Sequence, residues 1–172
     1  MPLRINEREE NIDFLDGGSV GANLPVWNPS TLWFNKGVQK TLRILIVSLS
    51  ILGAVVSALA LQVHYSNKVE PCDINARWDC GIVNHSSYSM IHGVPVAAVG
   101  IAGYLLVGLL ALLGQRGWTL LLTLIALGFA LYLSHVEESI LQVWCLYCVI
   151  SQCTIALIAV FAVVSLALRP KE

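Results

Sequence analysis

From Ile44 to Val63 the chain runs for twenty residues without a charge, and three later segments nearly repeat that pattern. A helix needs roughly 20 apolar residues to cross a bilayer, and lipid offers a lone segment no other way to satisfy its backbone polar groups. The later segments are Val94–Leu113, with Pro95 placed for a first helical turn, then Trp118–Ser134 and Val143–Leu168. Charged residues make up 12% of the chain, about half the share in soluble domains, so the apolar runs are not cores of a water-soluble fold. The last two connections, "GQRG" and "HVEESILQ", are short and make their flanking helices antiparallel neighbours. The expected fold is therefore all-α, an integral membrane four-helix bundle with a long loop, Gln62 to Gly93, between helices one and two.

Lysine and arginine orient such a bundle. An even number of spans places both termini on one side with Arg116. That side collects Arg4, Arg8, Lys36, Lys40, Arg43, Arg116, Arg169 and Lys171, against Lys68 and Arg77 on the other. Both termini are thus expected in the cytoplasm of a cell (inner) membrane protein, with the long loop facing outward. Residues 1–41 read as an acidic, then Gly-rich tail whose end, with Trp27, Trp33 and Phe34, lies on the membrane surface. Residues 42–168 form the membrane domain and 169–172 a cytoplasmic tail. The first forty residues hold no apolar run, so no cleavable signal peptide is expected. A net charge of −1 gives no electrostatic case for a nucleic-acid partner.

This orientation gathers Cys72, Cys80, Cys145 and Cys148 on the outward face, where disulfides persist. Cys72 and Cys80 enclose "DINARWD". By themselves they read first as a structural bridge, worth ~2–3 kcal/mol on the chain-entropy model. Cys145 and Cys148 are three residues apart at a helix N-terminus, where the helix dipole and free N–H groups favour a thiolate. A bridge within one turn adds little to stability, so this pair reads as a redox dithiol. Zinc on four thiolates is the competing reading, but the C-x₇-C spacing departs from that of zinc sites.

Gln152 continues the stripe of Cys145 and Cys148 about 10 Å deeper along the helix. At that depth its amide needs a partner, either another helix or a carbonyl on a ligand within the bilayer. Cys153 lies well round the helix and reads as a small core residue. His135 and Glu138 read as a solvated helix end, the alternative being a proton relay. His85 and Trp78 stand near the cysteines without a role the sequence decides. A dithiol that becomes a disulfide releases two electrons and two protons, which matches reduction of a membrane-dissolved quinone.

These residues resemble the vitamin K epoxide reductase family, in its bacterial branch. The resemblance covers about residues 42–168 and rests on "CDINARWDC", on Ser86 six residues after Cys80, on "HGVPVAAVGIAGYLL" and on "WCLYC", in that order. It implies a four-helix bundle around a quinone pocket, with Cys72 and Cys80 as a shuttle pair and Cys72 facing an external dithiol. Cys80 would exchange with Cys145, and Cys148 would lie next to the quinone. Ser86 would hydrogen-bond the quinone or the reacting thiolate. Animal members have a Tyr where this chain has Gln152 and a pocket Asn where it has Val96, which favours quinone reduction over epoxide reduction. Many bacterial relatives continue into a thioredoxin-like domain. This chain stops at Glu172, so a separate exported thioredoxin-like protein is the expected partner.

The function implied is a thiol:quinone oxidoreductase, monomeric among membrane lipid, using ubiquinone or menaquinone and supporting disulfide formation. The alternative is a small non-enzymatic membrane subunit with structural disulfides.

Overall fold

Pro29 opens the first helix, where a missing N–H costs nothing and the fixed φ is already helical. Helix α1 then runs unbroken through Pro29–Tyr65. The surface segment expected before residue 42 is therefore, from Pro29 on, the beginning of the first helix rather than a separate tail. A computed structural model of the chain describes residues 29–66 and 72–168, with side chains from residue 36. The tail before Pro29, the side chains of Trp33 and Phe34, Lys68 and the tail at 169–172 lie outside the described residues.

Four further helices follow: α2 at Cys80–His85, α3 at Val96–Leu112, α4 at Arg116–Val136 and α5 at Leu146–Ala167. The protein is an all-α membrane protein. α1, α5 and α4 with its extension to Leu141 are each long and apolar enough to cross a bilayer, and α3 is apolar but shorter. α3 is shorter than expected at its start because Val94–Pro95 form strand β2, paired with Met90–Ile91 as β1. The hairpin turns on His92 and Gly93, both at positive φ (49° and 83°), as a tight two-residue turn requires. Pro95 thus caps α3 from outside instead of sitting in its first turn.

α1 packs on α3 and α5, and α4 packs on α5. Lipid gives helices no hydrophobic reason to associate, so close packing through small residues and interhelical hydrogen bonds must do it. Along the α1–α3 seam, Gly100 faces Ser57, Gly108 faces Ser50, and the Tyr104 ring lies against Gly53. The Tyr104 hydroxyl reaches across to α5, to the Ser151 carbonyl at 2.7 Å and its hydroxyl at 2.8 Å. At the far end of α5, Ser165 and Gln39 of α1 exchange two hydrogen bonds of 2.9 and 3.0 Å. Ile46, Tyr104, Val107, Ile155 and Ile158 fill the space between.

Candidate active site

Two acids in "CDINARWDC" build α2. Asp79 is its N-cap, accepting the Ile82 N–H at 2.8 Å, and Asp73 accepts the N–H of Cys80 at 2.9 Å and of Gly81 at 3.3 Å. Both satisfy donors that a helix start leaves open. Cys80 is thereby the first residue of α2, fully buried and disulfide-bonded to Cys72 with Cα atoms 5.9 Å apart.

The other pair is reached through an interruption of α4. Glu137–Leu141 form one π-helical turn, and Gln142 then adopts a left-handed conformation (φ 55°) that ends the helix. Residues 143–145 run extended and pair with the first loop. Trp144 donates to the Arg77 carbonyl at 2.8 Å and accepts the Asp79 N–H at 3.1 Å, with the Trp78 and Trp144 rings 6.4 Å apart. This backbone bridge seats the disulfide beside the dithiol: Val63, Cys72, Cys80, Val83, Val143 and Cys145 share one buried cluster, with Cys148 packed against it.

Cys145 is the N-cap of α5 rather than a residue within it, so the fourth helix begins at Leu146 and not Val143. Its sulfur accepts the Cys148 N–H at 3.4 Å and faces the Asn84 amide at 3.7 Å. The Cys145 thiol is held below its ordinary pKa, first by the hydrogen bond with the Cys148 side chain and against the opposing effect of burial. A lowered pKa means thiolate at lower pH than a free cysteine. With Cys153 replaced by Ser and the Cys72–Cys80 bond intact, thiolate absorbance should therefore show its first rise below pH ~8.5. Asn84→Ala should move that rise upward, because the amide favours the charged sulfur. A first rise at or above the value for a free thiol would contradict this account of Cys145.

Beyond Cys148 lies a cavity of about 340 Å³ between α1, α3, α4 and α5, with Val83 and Asn84 of α2 also lining it. Its walls are mostly apolar, among them Val56, Val107 and Phe129. Polar residues also line it, among them Asn84, Ser86, Tyr88, Tyr147, Ser151 and Glu137. An apolar pocket with a few placed polar groups is what a small, mostly apolar ligand requires. Ser86 and Val96 both line it, and Cys148 opens onto it. The Ser86 hydroxyl also donates to the Val83 carbonyl at 2.8 Å, which leaves its lone pairs to accept.

Gln152 does not belong to the lining. Its side-chain oxygen accepts the Ser134 hydroxyl of α4, so the amide ties two helices together, and its neighbour Ser151 takes the cavity position. Cys148 and Gln152 remain one turn apart on α5, and the bond with Ser134 draws the Gln152 amide towards α4. Cys153 is exposed on the outside of the bundle, not in the core. His85 stacks on His64 and bonds the Gly81 carbonyl at 2.8 Å, away from the cavity. His135 and Glu138 are exposed.

Two site residues were not singled out by the sequence reading. Asn84, buried in α2, bridges the two cysteine pairs by donating to the Cys80 carbonyl at 2.9 Å as well as facing Cys145. Glu137 is 2% exposed and accepts the Cys145 N–H at 3.1 Å. In sequence it lies between His135 and Glu138, in a helix end that reads as solvated. An uninterrupted α-helix gives no warning of a π turn, although two adjacent acids at the end of an apolar helix, eight residues before a cysteine, are a usable signal. Among the described residues, metal-ligand atoms gather within 4.8 Å only at Cys72, Asp73 and Cys80, where the two sulfurs are bonded to each other.

A family model described as the vitamin K epoxide reductase family matches residues 44–163, more than two thirds of the chain. A search of curated proteins gave no match.

Proposed function

As the chain belongs to the vitamin K epoxide reductase family, whose members are membrane thiol–disulfide oxidoreductases, we propose that it passes electrons from an exported thioredoxin-fold dithiol to a membrane quinone, supporting disulfide formation. One observation carries this reading: the backbone pairing of residues 77–79 with Trp144 puts a formed disulfide, Cys72–Cys80, against a free dithiol whose second sulfur opens onto an apolar cavity. This arrangement fits the state reached once electrons have moved inward and before they leave. In the cycle we propose, the exported partner reduces Cys72–Cys80 at Cys72. The Cys80 thiolate then attacks an oxidised Cys145–Cys148 at Cys145, releasing Cys148 as thiolate. Cys72 attacks Cys80 and frees Cys145, which leaves the dithiol reduced beside the cavity.

Quinone is the co-substrate this cavity suits; a carbonyl seated at Ser86 would accept the hydroxyl hydrogen bond now given to the Val83 carbonyl. Cys148 supplies the electrons. The termini would lie on the cytoplasmic side and the cysteines on the outer one. Ubiquinone or menaquinone added to the purified, dithiol-reduced protein should be reduced one for one with loss of two thiols, followed by absorbance. Failure with both quinones would remove this reading and leave a membrane subunit with structural disulfides.

A further inference from the structure

Glu137 is a carboxyl with unusual company. It lies at the cavity end of α4, 2% exposed, in the single π-helical turn of the described residues. π turns inside α-helices recur at functional sites because they re-aim side chains. Here the turn directs Glu137 inward while Glu138 beside it is exposed. Glu137 accepts the Cys145 N–H at 3.1 Å, interacts electrostatically with the Cys148 thiol, and shares the cavity wall with it. No Lys or Arg pairs with it among the described residues. A buried ionisable group within a membrane helix is costly without such a cation, so its two partners account for its presence. Both partners belong to the dithiol.

We propose that Glu137 is a catalytic residue, the base that takes the Cys148 proton and delivers it into the cavity to the quinone oxygen. The inference rests on the thiol:quinone reading above. In the oxidation of the dithiol, the S–H bonds of Cys145 and Cys148 break and one S–S bond forms. Two electrons pass from sulfur to quinone, and two O–H bonds form on it. Glu137 accepts the proton of Cys148 and hands it to one oxygen, regaining its carboxylate. The proton of Cys145 leaves to the aqueous side, and the second oxygen takes one from there. Cys148 is partly buried against the mostly apolar cavity, and Glu137 is the one carboxyl on that wall among the described residues. The other titratable groups on the cavity wall are Tyr88, Tyr104 and Tyr147, whose neutral hydroxyls are poor bases. His135 is exposed and bonded to Ser139 at 3.2 Å.

The test uses the full chain with Cys153→Ser and needs no quinone. A small apolar maleimide is reacted with Cys148, and the site is verified by mass spectrometry. With Glu137 present, the alkylation rate should vary little with pH, since the carboxylate takes the thiol proton locally. In Glu137→Gln, which keeps an oxygen for the Cys145 N–H, the rate should rise about tenfold per pH unit as hydroxide must do that work. Glu137→Asp should retain the shallow profile, and it carries the same test should the Gln variant not fold. Single-turnover quinone reduction by Glu137→Gln near neutral pH should fall by ~100-fold and recover as pH rises. Matching pH profiles for the parent and Gln proteins would overturn the proposal, as would a uniform slowing that pH does not relieve. A parent protein that shows the shallow alkylation profile but reduces no quinone would sink the acceptor, not the base.

Discussion

Replacing Cys148 with Ala should abolish quinone reduction, by at least about three orders of magnitude, and should convert the protein to a Cys80–Cys145 disulfide. The starting arrangement already contains the reactants. Cys72–Cys80 is bonded and Cys145 is a free thiol in the same buried cluster. The Cys145 thiolate attacks Cys80, one S–S bond replaces another, and Cys72 leaves as thiolate. In the native protein the product is transient, because Cys148 attacks Cys145 and returns the electrons to the loop, or the quinone draws them off. Without Cys148 the mixed disulfide has no internal resolving group other than Cys72. Cys148 is also the first cause of the lowered Cys145 pKa, so the variant should trap more completely as pH is raised towards ~8.5. With Cys153→Ser in the same chain, alkylation followed by peptide mapping would reveal Cys72 as the modified thiol. Recovery of an intact Cys72–Cys80 bond and a free Cys145 at every pH would refute transfer between the pairs.

The largest effect on folding is expected at Gly53. A Cβ built on this glycine would fall against the ring of Tyr104, which occupies the space a side chain would need. Gly53→Leu improves helix propensity by up to ~1 kcal/mol, yet it should destabilise the bundle by about 2–3 kcal/mol, because overpacking costs more than propensity returns. It also pushes the Tyr104 hydroxyl away from Ser151, where it joins α3 to α5 on the cavity wall. Thermal unfolding in detergent should show the drop, and quinone turnover should fall with it. Adding Tyr104→Ala should restore at least half the loss by giving the leucine the vacated space. A double variant no more stable than Gly53→Leu would mean that the clash lies elsewhere.

Much of this architecture is legible from the sequence because hydropathy in a membrane chain has few readings. Uncharged runs must be helices, and "CDINARWDC", "WCLYC" and their order carry the family. The details that failed are local departures from ideal helices. An α-helical stripe from Cys145 points Gln152 at a ligand, whereas α5 starts after that cysteine and Ser134 takes the amide. Cys153 reads as core, yet small residues suit the outside of a bundle as well, and there it is exposed. The first loop is long in the sequence, which does not show its internal order. It folds because its own aspartates cap α2 and its backbone pairs with Trp144.

The sequence by itself thus determined the membrane helices, the family and the four cysteines, since each depends on the composition or spacing of contiguous residues. Tertiary structure alone decided which polar groups serve those cysteines. Asn84 bridges residues of α2 and α5, Glu137 is turned inward by one π-helical turn, and Gln152 is drawn off to Ser134. The physical reason is that a buried polar side chain must find its partner across helices, and a rotation of one residue chooses between the cavity and the neighbouring helix.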